Sequence, residues 1–306
     1  MIELEDILRP TQEQLFDRIC QQFKGQTLIS KSNFILVRGV APVMLISHLD
    51  TVHQQSVLDI VTFNNGNILT SPQGIGGDDR CGVFAIVKVY EQSEIKPWLL
   101  FTCNEEIGGI GAKAFCLAYQ QHQLPNNLNN LKFLVEIDRK GKNDAVYYDC
   151  FNPEFENYIS SKGYKTAFGS FSDISVIAPT LDIAAVNLSA GYYNAHRLNE
   201  CIVRSELEFT IQKVVEIVVD STRADFPRYE YDTGFHNEQD YYDDFFWHEE
   251  ESIDIPADLP VEYREIYEEL LYVYTAEELE DIRFQYGNHV LWQLYCDEFG
   301  SLYFDR

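Results

Sequence analysis

PWLLFTCNEEIGG, residues 97–109, carries both the fold and the problem of the site. An apolar run suited to a buried strand stops at two adjacent carboxylates, Glu105 and Glu106, and two glycines follow almost at once. Two carboxylates held close repel unless a cation or a shared proton relieves them. The ordinary home of a Glu-Glu pair is a solvent-facing loop, since Glu is rarely fully buried without a partner. The choice between a loop and a built site turns on whether other apolar runs end in the same way.

They do. VMLIS (43–47) runs into His48-Leu49-Asp50, and LKFLVEI (131–137) ends at Asp138. Between them GIGGDDRCG (74–82) places Asp78 and Asp79 at the opening of a helical segment. After LDIAAVNLS (181–189) comes GYYNAHRLNE (191–200), which carries His196. Ligands in open α/β sheets gather at the carboxyl ends of the strands, and five separate segments deliver His, Asp, Glu, Asp and His to such places. Each has an ordinary reading by itself: a hydrogen-bonded histidine, a helix cap at Asp78-Asp79, a salt bridge from Asp138 to Arg139 or Lys140, a surface His196. Together they form a metal site's inventory. Imidazole and carboxylate suit zinc, and also cobalt or manganese.

The chain of 306 residues, 45% hydrophobic and 14% aromatic, can bury a large core. Apolar strands alternate with helix-periodic segments, which predicts an α/β three-layer sandwich with a mixed, mostly parallel central sheet. Strands are expected at 32–39, 43–52, 98–103, 131–138, 145–151 and 181–189, with a hairpin at 61–70 turning on Asn65-Gly66. Helices are expected at 3–23 with a break at Pro10-Thr11, and at 81–91, 112–121, 153–163 and 207–221.

The net charge of −26 argues against a nucleic-acid partner, which needs a basic footprint. Residues 228–306 hold 22 acidic and 4 basic residues, so −18 of that charge lies in the tail. The sequence divides accordingly into 1–225, an acidic Tyr-rich connector at 226–260, and a small helical unit at 261–306. A charge run usually marks a solvated face, but Tyr241, Tyr242, Phe245, Phe246 and Trp247 crowd one acidic stretch, so the alternative expectation is that it packs on the larger domain near the mouth of its site. No apolar stretch has the roughly 18 residues of a membrane span, and the acidic N-terminus lacks a signal-peptide layout. Seven scattered cysteines read as free thiols of a reducing cytoplasm.

HLDTV (48–52), GGDDRCG (76–82), NEEIGGIGA (104–112), EID (136–138) and NAH (194–196) resemble, in order and spacing, the co-catalytic di-zinc exopeptidases. That group takes in zinc aminopeptidases, related carboxypeptidases, tripeptidases and amino-acid deacylases, and the likeness covers residues 30–220. It implies two zinc ions. Asp78 would bridge them, joined to Asp79 by a cis peptide. His48 and Asp138 would complete one ion's ligands, Glu106 and His196 the other's. Asp50 would orient His48, and Glu105 would be the general base. Only 57 residues separate Asp138 from His196, too few for the lid domain many relatives insert there, so the resemblance favours an aminopeptidase-like layout acting on peptides or small amides. A carboxypeptidase or N-acyl amino-acid deacylase is the nearest alternative. A non-catalytic metal-binding protein working through its acidic tail is another, disfavoured by the intact Glu105. Tyr192 or Tyr193 could replace the oxyanion partner a lid supplies, or simply pack at a strand end. Asp173 is expected to cap a helix.

Overall fold

The computed structural model describes residues 2–30, 33–53, 56–169 and 171–233, and farther on 256, 258–260, 263–270, 279–280, 282–284 and 287–299. The chain forms two compact units, Met1–Gly234 and Phe235–Arg306. In the first, the strands are β1 (Thr27–Ser30), β2 (Phe34–Val37), β3 (Val43–His48), β4 (Val61–Phe63), β5 (Ile68–Thr70), β6 (Trp98–Thr102), β7 (Phe133–Arg139), β8 (Asp144–Val146), β9 (Lys165–Thr166), β10 (Ala185–Ser189), β11 (Tyr192–Tyr193) and β12 (Cys201–Val203). The helices are α1 (Leu4–Leu8), α2 (Gln12–Gln22), α3 (Gly77–Gln92), α4 (Ile110–Gln120), α5 (Pro153–Ser161), α6 (Asp173–Leu181) and α7 (Arg204–Ser221).

Eight strands make the main sheet in the order β1-β2-β6-β3-β7-β10-β8-β9. Its central strands β6, β3, β7 and β10 are mutually parallel, and their largely apolar runs fit strands buried on both faces. Successive side chains serve opposite cores. Val43, Leu45, Phe133, Val135, Leu99 and Phe101 pack toward α3 and α7. Met44, Ile46, Leu134, Trp98 and Leu100 pack toward α4 and α6. Because the four strands are parallel, their carboxyl ends lie along one edge. A second sheet, β11-β12-β5-β4, is antiparallel and contains the expected hairpin.

Some elements differ from the sequence expectation. β8 stops at Val146 because Tyr148 and Asp149 have φ of 45° and 56°, left-handed values that no strand sustains. The strand expected from Leu181 begins only at Ala185, because α6 runs through Leu181 and Asp182 then turns left-handed. Phe226 and Tyr229 belong to the first unit: Tyr229 is buried, with its backbone bonded to Lys132 and Ala184, and both rings pack on Phe133.

In the second unit, helices α8 (Arg264–Leu270) and α9 (His289–Phe299) share a small core with Leu259, Ile266, Tyr267 and Leu291. Arg283, almost fully enclosed, pairs with Glu280, Asp258 and Asn288. The aromatic stretch 241–247 lies outside the described residues. Cys20, Cys81, Cys103, Cys116, Cys150 and Cys201 are free, and among the described residues no helix is long and apolar enough to cross a membrane.

α3 and β7 touch through Gly82, where a Cβ would sit 1.9 Å from the Ile137 carbonyl oxygen and 2.4 Å from Asp79 Oδ1. Alanine ordinarily stabilises a helix interior by about 0.5–1 kcal/mol over glycine. Here the sign reverses: Gly82→Ala is expected to destabilise by about 1–3 kcal/mol, as overpacking does, in denaturant melts of the full chain. Equal or greater stability would contradict this packing.

Candidate metal centre

β3 and β7 run side by side with Ile46 opposite Glu136, so His48 and Asp138, each two residues on, emerge together at the sheet edge. His48 Nε2 lies 3.5 Å from Asp138 Oδ1 and 3.3 Å from Asp78 Oδ1. The other oxygen, Asp78 Oδ2, lies 3.3 Å from His196 Nε2, and that nitrogen is 3.1 Å from Glu106 Oε2. Two donors each about 2.0–2.1 Å from one tetrahedral ion stand roughly 3.3–3.4 Å apart. All four separations fall close to that spacing. Glu105 Oε2 stands 3.9 Å from His48 Nε2. The structure thus brings together all six of these residues, with Asp50 behind them.

Local sequence explains how each is aimed. The Asp78–Asp79 peptide is cis, and both residues have non-helical backbone at the mouth of α3. Their side chains part company there. Asp79 turns inward, accepting hydrogen bonds from Ser47 Oγ, the His48 amide (3.2 Å) and the Gly82 amide (3.0 Å). Two triads have donor atoms close enough for one ion, His48-Asp78-Glu106 and His48-Asp79-Asp138. Asp79's oxygens are already engaged, so Asp78 is the better donor. His196 sits in the turn between β11 and β12 with φ of 64°.

A supporting shell fixes these groups. Asp50 Oδ1 and Oδ2 accept the amides of Glu105 and Glu106, both at 3.1 Å, so one carboxylate holds the Glu-Glu peptide. Asp50 Oδ1 also lies 3.4 Å from His48 Nδ1, an ion-pair distance without hydrogen-bond geometry. Asn187 on β10 pairs with both backbone groups of Asp138, accepting its N–H at 2.8 Å and donating to its carbonyl at 3.2 Å. Glu200, fully buried, accepts the amides of Gly76 and Asp78, each at 2.9 Å, and meets His53 Nε2 at 3.0 Å. Neither Asn187 nor Glu200 was among the sequence candidates. The signal for Asn187 is an amide inside an otherwise apolar strand, which must find partners.

The tyrosines are committed elsewhere. Tyr192 Oη donates to the Asp138 carbonyl (3.1 Å) and meets its Oδ1 at 3.3 Å, and Tyr193 Oη is 2.6 Å from Glu206. Neither hydroxyl is free for an oxyanion. Asp173 begins α6 but is buried, taking the Thr102 hydroxyl of β6, so it ties a helix to a strand where the sequence suggested a cap.

Five carboxylates around two imidazoles leave negative charge in excess. Burial, opposed by His48 and reinforced by Asp138, Asp173 and Glu106, pushes Glu105 up to about 9. Burial with Asp78 lifts Asp138 to about 8. Hydrogen bonds to Asp78 and Glu106 raise His196 to about 11. Burial works against protonating His48, yet Asp138, Asp50 and Asp78 outweigh it and raise its pKa. Glu106 Oε1 is buried without a hydrogen-bond partner. Protons therefore stand in for positive charge that the donor set is built to receive, and the residues fit a divalent metal.

No protein-family model matches the sequence, and no curated protein sequence matches it. Solved structures do match in fold. Aminopeptidase PepT from Bacillus cereus aligns with a TM-score of 0.53 at 15% identity, covering 72% of this chain and 96% of its own. A tripeptidase from Staphylococcus aureus aligns at 0.53 and 16%, covering 71% and 96%. The aminopeptidase APDkam598 from the archaeon Desulfurococcus kamchatkensis aligns at 0.54 and 15%, covering 70% and 93%. At such identities the likeness is one of fold.

A metal must displace the protons it replaces. At pH 7 the raised groups hold theirs, so zinc binding is expected to release roughly one proton or more per chain, and its apparent affinity should climb from pH 6 to 8 as the competing protons leave. Calorimetry in buffers of different ionisation enthalpy reads both. Proton-neutral binding, or affinity flat with pH, would contradict this electrostatic account.

Proposed function

We propose that the first unit is a metal-dependent hydrolase of peptide or related amide bonds, aminopeptidase-like in its substrates. The observation that carries this reading is Asp78: its two oxygens each stand 3.3 Å from a different histidine, the arrangement of a carboxylate shared by two ions. His48 and Asp138 would hold one, Glu106 and His196 the other. Zinc suits this donor set, and cobalt or manganese would serve. Two such ions supply Lewis acidity toward the scissile carbonyl and acidify a water for attack.

The chain's own residues do the rest. Glu105 accepts the proton of the attacking water at Oε2 and passes it to the nitrogen of the leaving amine. Its raised pKa in the bare site would keep it protonated at neutral pH, whereas nearby cations favour the carboxylate a base needs. Asp50 keeps this base in register by gripping its backbone amide, and Asn187 and Glu200 do the same for Asp138 and Asp78. The 57 residues between Asp138 and His196 build β8, α5, β9, α6, β10 and β11 of this same unit. A site without an inserted lid is open to peptides presenting a free amino terminus. The enclosed free thiols agree with action in a reducing compartment.

Glu105→Gln keeps shape and removes the base. Turnover of a dipeptide by the zinc-loaded protein should fall by roughly 10²–10⁴-fold with metal content unchanged, read by paired kinetics and elemental analysis. Turnover equal to the parent's would refute Glu105 as the base.

A further inference from the structure

Beside the metal centre lies a cavity of about 430 Å³, bordered by Asp50, Gly76 and Glu106. That is within the range of small-molecule sites, roughly 300–1,000 Å³. Its roof is the turn joining α1 to α2, with Leu8, Pro10 and Gln12 in the lining. The first turn of α3 and two loops grip that turn. Arg80 donates to the carbonyls of Ile7 (2.9 Å) and Pro10 (3.0 Å). Arg9 donates to the Leu58 carbonyl. Gln12 and Asn104 pair twice: Gln12 Nε2 donates to Asn104 Oδ1, and the Asn104 amide donates to Gln12 Oε1, both at 3.1 Å. Asn104 immediately precedes Glu105, so the roof and the catalytic turn are one hydrogen-bonded piece.

The polar groups of the lining are largely spent within the protein. Asp50 is occupied by the Glu105 and Glu106 amides, His53 by Glu200, and Thr51 Oγ1 by the His53 amide at 3.1 Å. Arg80 is committed to the two carbonyls of the roof, although its Nε is buried without a partner. Glu106 Oε1 is likewise unpaired, but it belongs to the donor set a metal would occupy. Apart from the exposed Ser56, what remains for a ligand is apolar: Leu8, Val52, Val57, Ile75 and Ile107. The charges in the lining are already committed, Arg80 facing Asp50 and Asp79 and Glu106 belonging to the metal donor set, so a charged side chain would shed water for groups engaged elsewhere, which is costly.

Building on the peptidase reading, we propose that this cavity receives the side chain of the substrate's amino-terminal residue and selects large, uncharged, apolar ones. The α1–α2 turn is then a specificity element.

The test uses the zinc-loaded full chain and dipeptides X-Ala with X = Leu, Phe, Lys and Glu. Leu and Phe should exceed Lys and Glu in kcat/KM by roughly tenfold or more, the scale on which hydrophobic pockets discriminate. Val52, 40% exposed at the cavity wall, can take a charge without burying it in the core. Val52→Asp should cut the Leu-to-Lys ratio by about tenfold or more. In parallel, calorimetry on the Glu105→Gln protein, with and without Val52→Asp, measures binding of L-leucinamide and L-lysinamide. A parent preference for Lys or Glu, a Leu-to-Lys ratio unmoved by Val52→Asp, or failure of L-leucinamide to bind overturns the proposal. Should no dipeptide be cleaved while L-leucinamide binds and the Asp variant shifts preference to L-lysinamide, the cavity assignment stands and the peptidase reading falls.

Discussion

The repulsion among carboxylates gathered at one sheet edge is the constraint on which the rest depends. Asp50, Asp78, Glu105, Glu106 and Asp138 are all largely shielded from water, and among the described residues two histidines pair with them, with Arg80 acting on Asp50. A fold can hold such a cluster only if rigid elements fix each member and something positive offsets the charge. The parallel strands supply the first requirement. Four of them end together, so residues distant in sequence arrive within hydrogen-bond range before any side chain has chosen a rotamer.

Aim is then set by a second layer that never touches the reacting atoms. Asp50, Asn187 and Glu200 bond to the backbone of Glu105 and Glu106, of Asp138, and of Asp78. Backbone grips of this kind resist torsion better than side-chain contacts do, because moving the donor moves the peptide plane. The pairing of Gln12 with Asn104 extends this layer to the N-terminal helices. Precision at the centre is therefore bought with buried polar groups, most of them satisfied, in the manner of a preorganised site.

Much of this was legible in the sequence, for identifiable reasons. The central strands are buried on both faces, so 43–48, 98–102, 133–139 and 185–189 stand out as largely apolar runs. Polar residues closing those runs marked the site, because a charge at the end of a buried strand needs a purpose. Less visible was whatever depends on tertiary contact. The start of α6 was marked by Asp173, but its course was not: it is nine residues long and carries Pro179, and packing on α4 and the sheet sustains it. β8 reads as a longer strand because nothing in YYD announces left-handed backbone at Tyr148 and Asp149. Glu200 looks like any loop acid until Gly76 and Asp78 are folded over it.

Sharing of Asp78 between two cations is a proposal that the count of bound metal decides. After loading with zinc and removal of the excess, elemental analysis should find two ions per chain in the parent, and at most one in Asp78→Asn, where one ligand oxygen becomes an amide nitrogen. A parent that saturates at one ion or none, or an Asp78→Asn protein that still holds two, would contradict the account.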